Sequence, residues 1–558
     1  MMLADHAPST APPSLTRLFC VWLGIIFFLK WPSLTEPPVW DAAFGLFPAA
    51  SELANNGFNV LSLLQQPTYH NGGPNCHAES IVTWLTAAVL CVGGQGPKAF
   101  AILHVLHFAT AAWTLAVLHR LTANSLGRWL AWMLCGDLLL CPLFRVQVGA
   151  MYFEIPLAAC TVSAVAAYAD GKLGRALIWS TLAVMVKQTG LTVAGALAVA
   201  ALVRRGSATK RLGLALSFAG LGLAVALGPM VCTPLLGAAR DPSPPGSWWE
   251  FMRGNHVPYL ACIPDFTVGC FLFVTVGLIR FRETWQSLAG ESSSDALESV
   301  VPCADETLPL GTDGSNVSEN NPRRSPPSNA VGVAFLLTVM FGLFFFVAPY
   351  FAHLDFFCLP RYLVPILPCV FLGGAYWIAR LTSSRLAAIV LAVAAMLFVG
   401  NRNGAWYPAD DSNNVAVHER SENYRGIVAA QQELVRVASN LPDDAVIYYG
   451  LPEHYFLKYP WMGYATRRHP GGRCVFLPQE RPKSAKSEDQ PEHFYVILDA
   501  PFLGDESLRA ILRNAIKDPS RQVLQRRKIK RGPFDVSLIE VKPKSPSSVE
   551  SGGSQQHD

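Results

Sequence analysis

The chain has 558 residues, 51% hydrophobic and only 15% charged, against the roughly 25% charged residues of a soluble domain. Its formal net charge of +4 is small for that length, and its Lys and Arg residues fall in short clusters between apolar runs, which excludes the continuous basic stripe of a nucleic-acid binder. Its 13 cysteines form no CxxC pair and mostly sit inside apolar runs (Cys91, Cys135, Cys160, Cys270, Cys369), so no zinc site or disulfide framework is expected, although Cys76 and Cys474 could both face an oxidising compartment.

The polar, Pro-rich residues 1–14 precede an apolar run at 15–34 that no small-residue cleavage site follows, so this run is expected to remain as a membrane anchor. Directly after it stands Trp40-Asp41-Ala42-Ala43-Phe44-Gly45. Phe44, Leu46, Phe47, Ala50, Leu53 and Ala54 then recur at spacings of three and four, the pattern of an amphipathic helix lying on a membrane face. Asp41 has two readings from this position. A carboxylate beside Trp40 and apolar neighbours can have its affinity for protons raised and serve as a general base, or it can cap the helix that follows.

The same loop ends in Tyr69-His70-Asn71-Gly72-Gly73-Pro74, with Asn75, His77 and Glu79 just beyond. The glycines and proline demand a tight turn. The His and Glu residues match no standard ligand spacing, so a polar loop capping the next helix is expected rather than a metal site.

Further membrane-length candidates follow at 80–92, 99–118, 129–144, 155–168, 176–203, 212–236, 260–279, 331–351, 362–378 and 386–399, about eleven in all, several of them short of the usual length. Basic clusters at Arg204-Arg205, Lys210-Arg211, Arg280 with Arg282 and Arg380 with Arg385 agree with a cytoplasmic N-terminus. That orientation puts Asp41 and everything after residue 400 on the other side. Lys172 and Arg175 disagree with it, unless a short segment or the run 176–203 is a hairpin dip.

Several polar residues within or beside these runs invite a reason, because ionisable groups are costly in a bilayer. Glu154 opens an apolar segment, with Pro156 suited to a first helical turn, and could be a favourable carboxylate at a helix N-terminus. Lys187, in Met185-Val186-Lys187-Gln188-Thr189-Gly190, interrupts a long apolar run. It reads as a counter-ion for a phosphate, or as a snorkelling or paired lysine at a helix break. His353, Asp355, Arg361 and Tyr362 open a late segment. An arginine fork suits phosphate, and a headgroup anchor within an aromatic belt is the alternative.

The stretch 283–329 is rich in Ser, Pro, Asp and Glu and is expected to be a disordered cytoplasmic loop, which discounts the glycosylation triplet Asn316-Val317-Ser318 within it. After residue 400 the composition becomes that of a soluble domain. Strands are expected at 445–449, 475–477, 494–498 and 536–541 and helices at 424–439 and 506–516, forming a small external α/β domain over 401–541. Residues 542–558 read as a disordered tail.

The order of these parts resembles the membrane-integral GT-C glycosyltransferases, in particular the branch of protein O-mannosyltransferases and lipid A aminoarabinose transferases. The resemblance covers roughly residues 15–400. It rests on the acid after the first membrane segment (Asp41), the loop ending in a Gly/Pro turn (His70 to Pro74), and an acid with a following proline at a helix start (Glu154-Ile155-Pro156). A lysine at a helix break (Lys187-Gln188-Thr189-Gly190) and Arg361-Tyr362-Leu363-Val364-Pro365 complete it. Two departures stand beside it: Ala42 occupies the place of a second acid, and Gly73-Pro74 that of a double proline.

The resemblance implies a polytopic α-helical GT-C-like protein of about eleven transmembrane helices with a small C-terminal α/β domain. The implied activity moves a sugar from a polyprenyl-phosphate carrier to an acceptor (lipid, glycan or protein) on the external face. Asp41 would be the base, and His70, Asn71, Glu154, Lys187, His353, Arg361 and Tyr362 would bind substrate. No metal, cofactor or nucleic acid is implied. A transporter or flippase of lipids or small solutes is the alternative, since it too would carry polar residues and broken helices in its membrane segments.

Overall fold

The computed structural model describes residues 14–39, 42–64, 79–232, 264–289, 329–351, 360–400, 424–475, 491–499, 505–531 and 534–544. Helix α1 (Leu15–Lys30) is capped by the Ser14 hydroxyl, which accepts from the Arg17 amide, and continues into a 3-10 turn, Trp31–Thr35. A π-turn (Ala42–Leu46), α2 (Phe47–Asn55), α3 (Val60–Leu64) and α4 (Ile81–Gly93) follow, then the 30-residue α5 (Pro97–Leu126). Next come α6 (Arg128–Leu140) and α7 (Pro142–Ala150), bent by 65° at their junction, and α8 (Glu154–Ala169), α9 (Leu173–Val186), α10 (Leu191–Val203) and α11 (Ala208–Cys232). The described bundle is completed by α12 (Pro264–Ile279), α13 (Phe281–Ala289), α14 (Asn329–Phe351), the 3-10 turn Pro360–Ile366, α15 (Leu367–Leu381) and α16 (Ser384–Gly400).

Contacts fix which helix ends lie together. His104, near the start of α5, meets the Glu36 carbonyl just beyond α1, so α5 begins where α1 finishes. The Ser80 hydroxyl ahead of α4 donates to the Val186 carbonyl at the end of α9, and Gln95 beyond α4 donates to Ser51 in α2. Both ends of α4 therefore stay at this one end of the bundle. The segment expected to cross at 80–92 instead packs on α2, and its 13 residues span only about 20 Å, short of a hydrocarbon core.

The run 176–203 is correspondingly two helices. Lys187 is extended (φ −159°, ψ 143°), and the following 3-10 turn folds the chain back on itself. Gly190 lies so close over α9 that a Cβ there would sit 2.2 Å from the Ala183 carbonyl oxygen. From this tip α10 runs back along α11 and reaches α13. This is the hairpin that the positions of Lys172 and Arg175 require. At the far end Asp170 binds both Arg120 (2.6 Å) and Lys172 (2.9 Å), and Glu283 of α13 pairs with Arg280 (2.8 Å) and Arg380 (3.8 Å). The basic clusters thus gather at one end.

Taken as rods between the two ends, α1, α5, the bent α6–α7 pair, α8, α9, α10, α11, α12, α14, α15 and α16 make eleven passages among the described residues. The total agrees with the sequence reading, but its composition differs: α4 leaves the list and the α9–α10 hairpin enters as two. Among the described residues, four helices are long and apolar enough to cross a membrane alone, whereas α8 and α9, with 16 and 14 residues, reach about 20–24 Å. Such lengths suit a bilayer that thins against the protein. The molecule is an integral membrane protein with a helical polytopic body.

The described residues between 424 and 544 form the C-terminal α/β unit. Helix α17 (Tyr424–Ser439) buries Ile427, Ala430, Leu434 and Ala438 at spacings of three and four. It is followed by β1 (Val446–Tyr449), α18 (Leu451–Lys458), β2 (Gly472–Cys474), β3 (Phe494–Asp499), α19 (Asp505–Lys517), β4 (Arg521–Arg531) and β5 (Phe534–Pro543). The sheet order is β2-β1-β3-β5-β4, parallel through β2-β1-β3 and antiparallel through β3-β5-β4. Helix α17 packs against β4 and β5, and α19 against β3 and β4.

Three boundaries differ from the sequence reading. The strand expected at 475–477 lies at 472–474, and β4 was not anticipated. Strand β5 extends to Pro543, into the expected tail. The stretch expected to be disordered from residue 283 opens in α13, while 290–328 lie outside the described residues.

Candidate functional site

At the end of the bundle that carries the C-terminal unit, three charged groups separated widely in sequence meet. Glu154 is the first residue of α8, 1% exposed, where the unpaired amides of a helix N-terminus favour a carboxylate. The Lys187 ammonium at the α9–α10 tip donates to Glu154 Oε1 at 2.6 Å. Arg361, in the 3-10 turn before α15 and 2% exposed, brings its Nε to 3.9 Å from the same oxygen.

Aromatic rings frame the two cations. Lys187 Nζ lies 4.0 Å from the centroid of the Tyr362 ring, and the Arg361 guanidinium carbon is 4.8 Å from the Tyr152 ring and 5.2 Å from that of Tyr362. Cations held over ring faces away from water gain more from the ring quadrupole than they would at the surface. Local backbone geometry delivers these groups. Met151, at the end of α7, takes the left-handed conformation (φ 53°), uncommon for a residue with a side chain, and this reversal leads directly into Tyr152 and Glu154. Beside the turn, buried His107 on α5 pairs with the Gln147 carbonyl at 3.1 Å.

Of the residues singled out by sequence, Glu154, Lys187, Arg361 and Tyr362 are thus brought together. Asp41, His70, Asn71, His353 and Asp355 lie outside the described residues. Lys187 is a paired lysine at a helix break, one of its two sequence readings, and the pair is with Glu154. Glu52, in α2 beyond the π-turn, accepts from the Tyr459 hydroxyl at 3.1 Å. Tyr152 was missed by sequence reasoning. Its one signal was an aromatic ring two positions before a membrane-edge carboxylate. Among the described residues no group of three or more His, Cys, Asp or Glu could hold a metal ion.

Both flanks of residues 40–41 touch the C-terminal unit. Glu36 pairs with Arg425 (2.7 Å) and accepts from Tyr424 (3.0 Å), Ser33 accepts from Arg425 (2.5 Å), and the Pro38 carbonyl accepts from Tyr464 (3.0 Å). Burial raises the proton affinity of the Glu36 carboxyl above that of an ordinary carboxylate, and Arg425 beside it pulls the other way.

The fold and the cluster define a polytopic helical membrane protein with a buried carboxylate, lysine and arginine at the mouth of an apolar bundle. No protein-family model and no curated protein matches the chain. Among solved structures it is similar to ArnT from Cupriavidus metallidurans bound to undecaprenyl phosphate. That match has 14% identity and a TM-score of 0.46, covering 94% of this chain and 97% of that one. The apo state of the same protein matches with 15% identity, the same TM-score and the same coverage.

Proposed function

We propose that this protein is a membrane glycosyltransferase that moves a sugar from a polyprenyl-phosphate-linked donor to an acceptor hydroxyl. The reaction takes place at the end of the bundle where the C-terminal unit sits, on the non-cytoplasmic face. The observation that carries the reading is the convergence of Lys187 and Arg361 on Glu154 beneath Tyr152 and Tyr362, at the end of apolar helices that a lipid tail can lie against. The basic clusters at the opposite end fit a cytoplasmic side.

In the proposed reaction the bond between the sugar's anomeric carbon and the phosphate oxygen breaks, and the lipid phosphate leaves with the electron pair. The acceptor oxygen bonds to that carbon, and its proton passes to a base, the role proposed for Asp41. Negative charge grows on the departing phosphate, so cations preorganised for it lower the barrier more than they stabilise bound donor. Arg361 supplies the planar fork that matches two phosphate oxygens, and Lys187 supplies a point charge. Glu154 holds both cations in place. His70, Asn71 and His353 are proposed to line the same donor and acceptor space. A transporter would centre its polar groups at the midplane, whereas this cluster is terminal.

The test is incubation of purified protein in vesicles with a panel of undecaprenyl- and dolichyl-phosphate-linked hexoses and pentoses. The expected result is acceptor-dependent release of polyprenyl phosphate from at least one donor, lost in Lys187→Met. Movement of intact donor between leaflets without release would support the flippase instead.

A further inference from the structure

We infer that the C-terminal α/β unit is a positioning element of the catalytic end, which holds the chain on both sides of residues 40–41 through Tyr424, Arg425, Tyr459, Trp461 and Tyr464. The inference rests on the glycosyl-transfer reading above. On the upstream side, Arg425 and Tyr424 occupy the two oxygens of Glu36, and Tyr464 occupies the Pro38 carbonyl. On the downstream side, α18 packs on the π-turn Ala42–Leu46. Trp461 lies against Phe47 (6.3 Å between centroids) and stacks on Phe100 of α5 (6.1 Å), and Tyr459 donates to Glu52.

These contacts come from two elements of the unit that are themselves tied together. Gln432 and Arg436 of α17 both donate to the Gly463 carbonyl, and Tyr464 stacks on Phe456 of α18. The bundle adds to the grip, since His104 Nε2 lies 3.2 Å from the Glu36 carbonyl oxygen. A close approach at Gly149, where a Cβ would meet the Tyr424 hydroxyl at 2.9 Å and Ser33 Oγ at 3.2 Å, seats α17 directly over the α7 end that leads to Tyr152 and Glu154. One unit thereby touches the segment on either side of Asp41 and the helix that delivers Glu154. An appended acceptor-binding module needs none of these hydrogen bonds to Ser33, Glu36, Pro38 and Glu52.

The experiment uses the full-length protein and the polyprenyl-phospho-sugar that the wild type consumes. Turnover is measured per folded molecule for Arg425→Gln, Arg425→Lys and Tyr464→Phe. The expected result is a fall in kcat of about tenfold for Arg425→Gln and about threefold for Tyr464→Phe, with KM for donor and acceptor within about twofold of wild type, since a small misplacement of reacting groups lowers rate more than binding. Arg425→Lys, which keeps the charge opposite Glu36, recovers part of the loss. Wild-type kcat in both Arg425→Gln and Tyr464→Phe, or a raised acceptor KM with unchanged kcat, overturns the positioning role while leaving the transfer reading intact. A wild type that consumes no donor defeats that reading instead. If Arg425→Gln fails to fold, Tyr464→Phe, which removes a single hydroxyl, decides.

Discussion

The Glu154–Lys187 pair is where stability and function separate. Glu154 is 1% exposed and Lys187 11%, and breaking a buried pair by removing one partner typically costs about 3–5 kcal/mol because the survivor is left charged and unpaired. Glu154→Gln and Lys187→Met are each expected to lower the thermal midpoint in detergent and to abolish turnover. The double variant still takes the Glu154 carboxylate away from buried Arg361, so it should regain only part of the midpoint and none of the activity. Recovery of turnover in the double variant would make the pair purely structural. Glu154, Lys187 and Arg361 were legible in the sequence because each is a charged group that a membrane segment does not otherwise tolerate, and Tyr362 because it adjoins Arg361. Their mutual pairing was not, since one oxygen of Glu154 serves two cations 33 and 207 positions away and nothing in either stretch names the partner.

Among elements, the α9–α10 hairpin matters most, because its tip carries Lys187. The apolar run 176–203 reads by length as one long crossing, and the break is marked only by Lys187-Gln188-Thr189-Gly190. Gly190 is needed for space rather than for backbone freedom: a Cβ would overlap backbone at Ala183 and Val184 (2.2 and 2.6 Å), atoms that cannot rotate aside. Gly190→Ala should therefore splay the hairpin, destabilise the protein by about 1–3 kcal/mol and lower turnover by displacing Lys187, read by thermal unfolding and donor release. An unchanged midpoint would show that the two helices part without cost. Helix α4 misled the sequence reading for the opposite reason. It is as apolar as a crossing, and only the partners of Ser80 and Gln95 reveal that it never leaves one end. Strand β4 was hidden by its own chemistry: Arg526, Arg527, Lys528 and Lys530 mask the alternation that marks a strand, yet cations on an exposed sheet edge are what keep it from pairing with other chains.

At the scale of the molecule, composition alone defined a polytopic body and a soluble C-terminal unit, and basic clusters oriented them. The number of passages agreed only because one lost crossing offset one gained. With the hairpin in place, Lys172 joins the other cations at a single end, so the exception to the charge rule disappears. The docking of the C-terminal unit was invisible in sequence, because Arg425 and Tyr424 are separated from Glu36 by 388 or more positions and each reads alone as an ordinary helix residue. The whole is a bundle with a charged cluster at the end that carries the C-terminal unit, and that unit also touches the chain on both sides of residues 40–41.

The most direct test of the central claim, that Arg361 and Lys187 receive the departing lipid phosphate, is the turnover of Arg361→Lys at saturating polyprenyl-phospho-sugar, beside its thermal midpoint. Lysine preserves the charge and loses the two-nitrogen fork. A phosphate role predicts a fall in kcat of about tenfold or more, about 1.4 kcal/mol in barrier, with the midpoint near wild type. Equal turnover in the two proteins would contradict it.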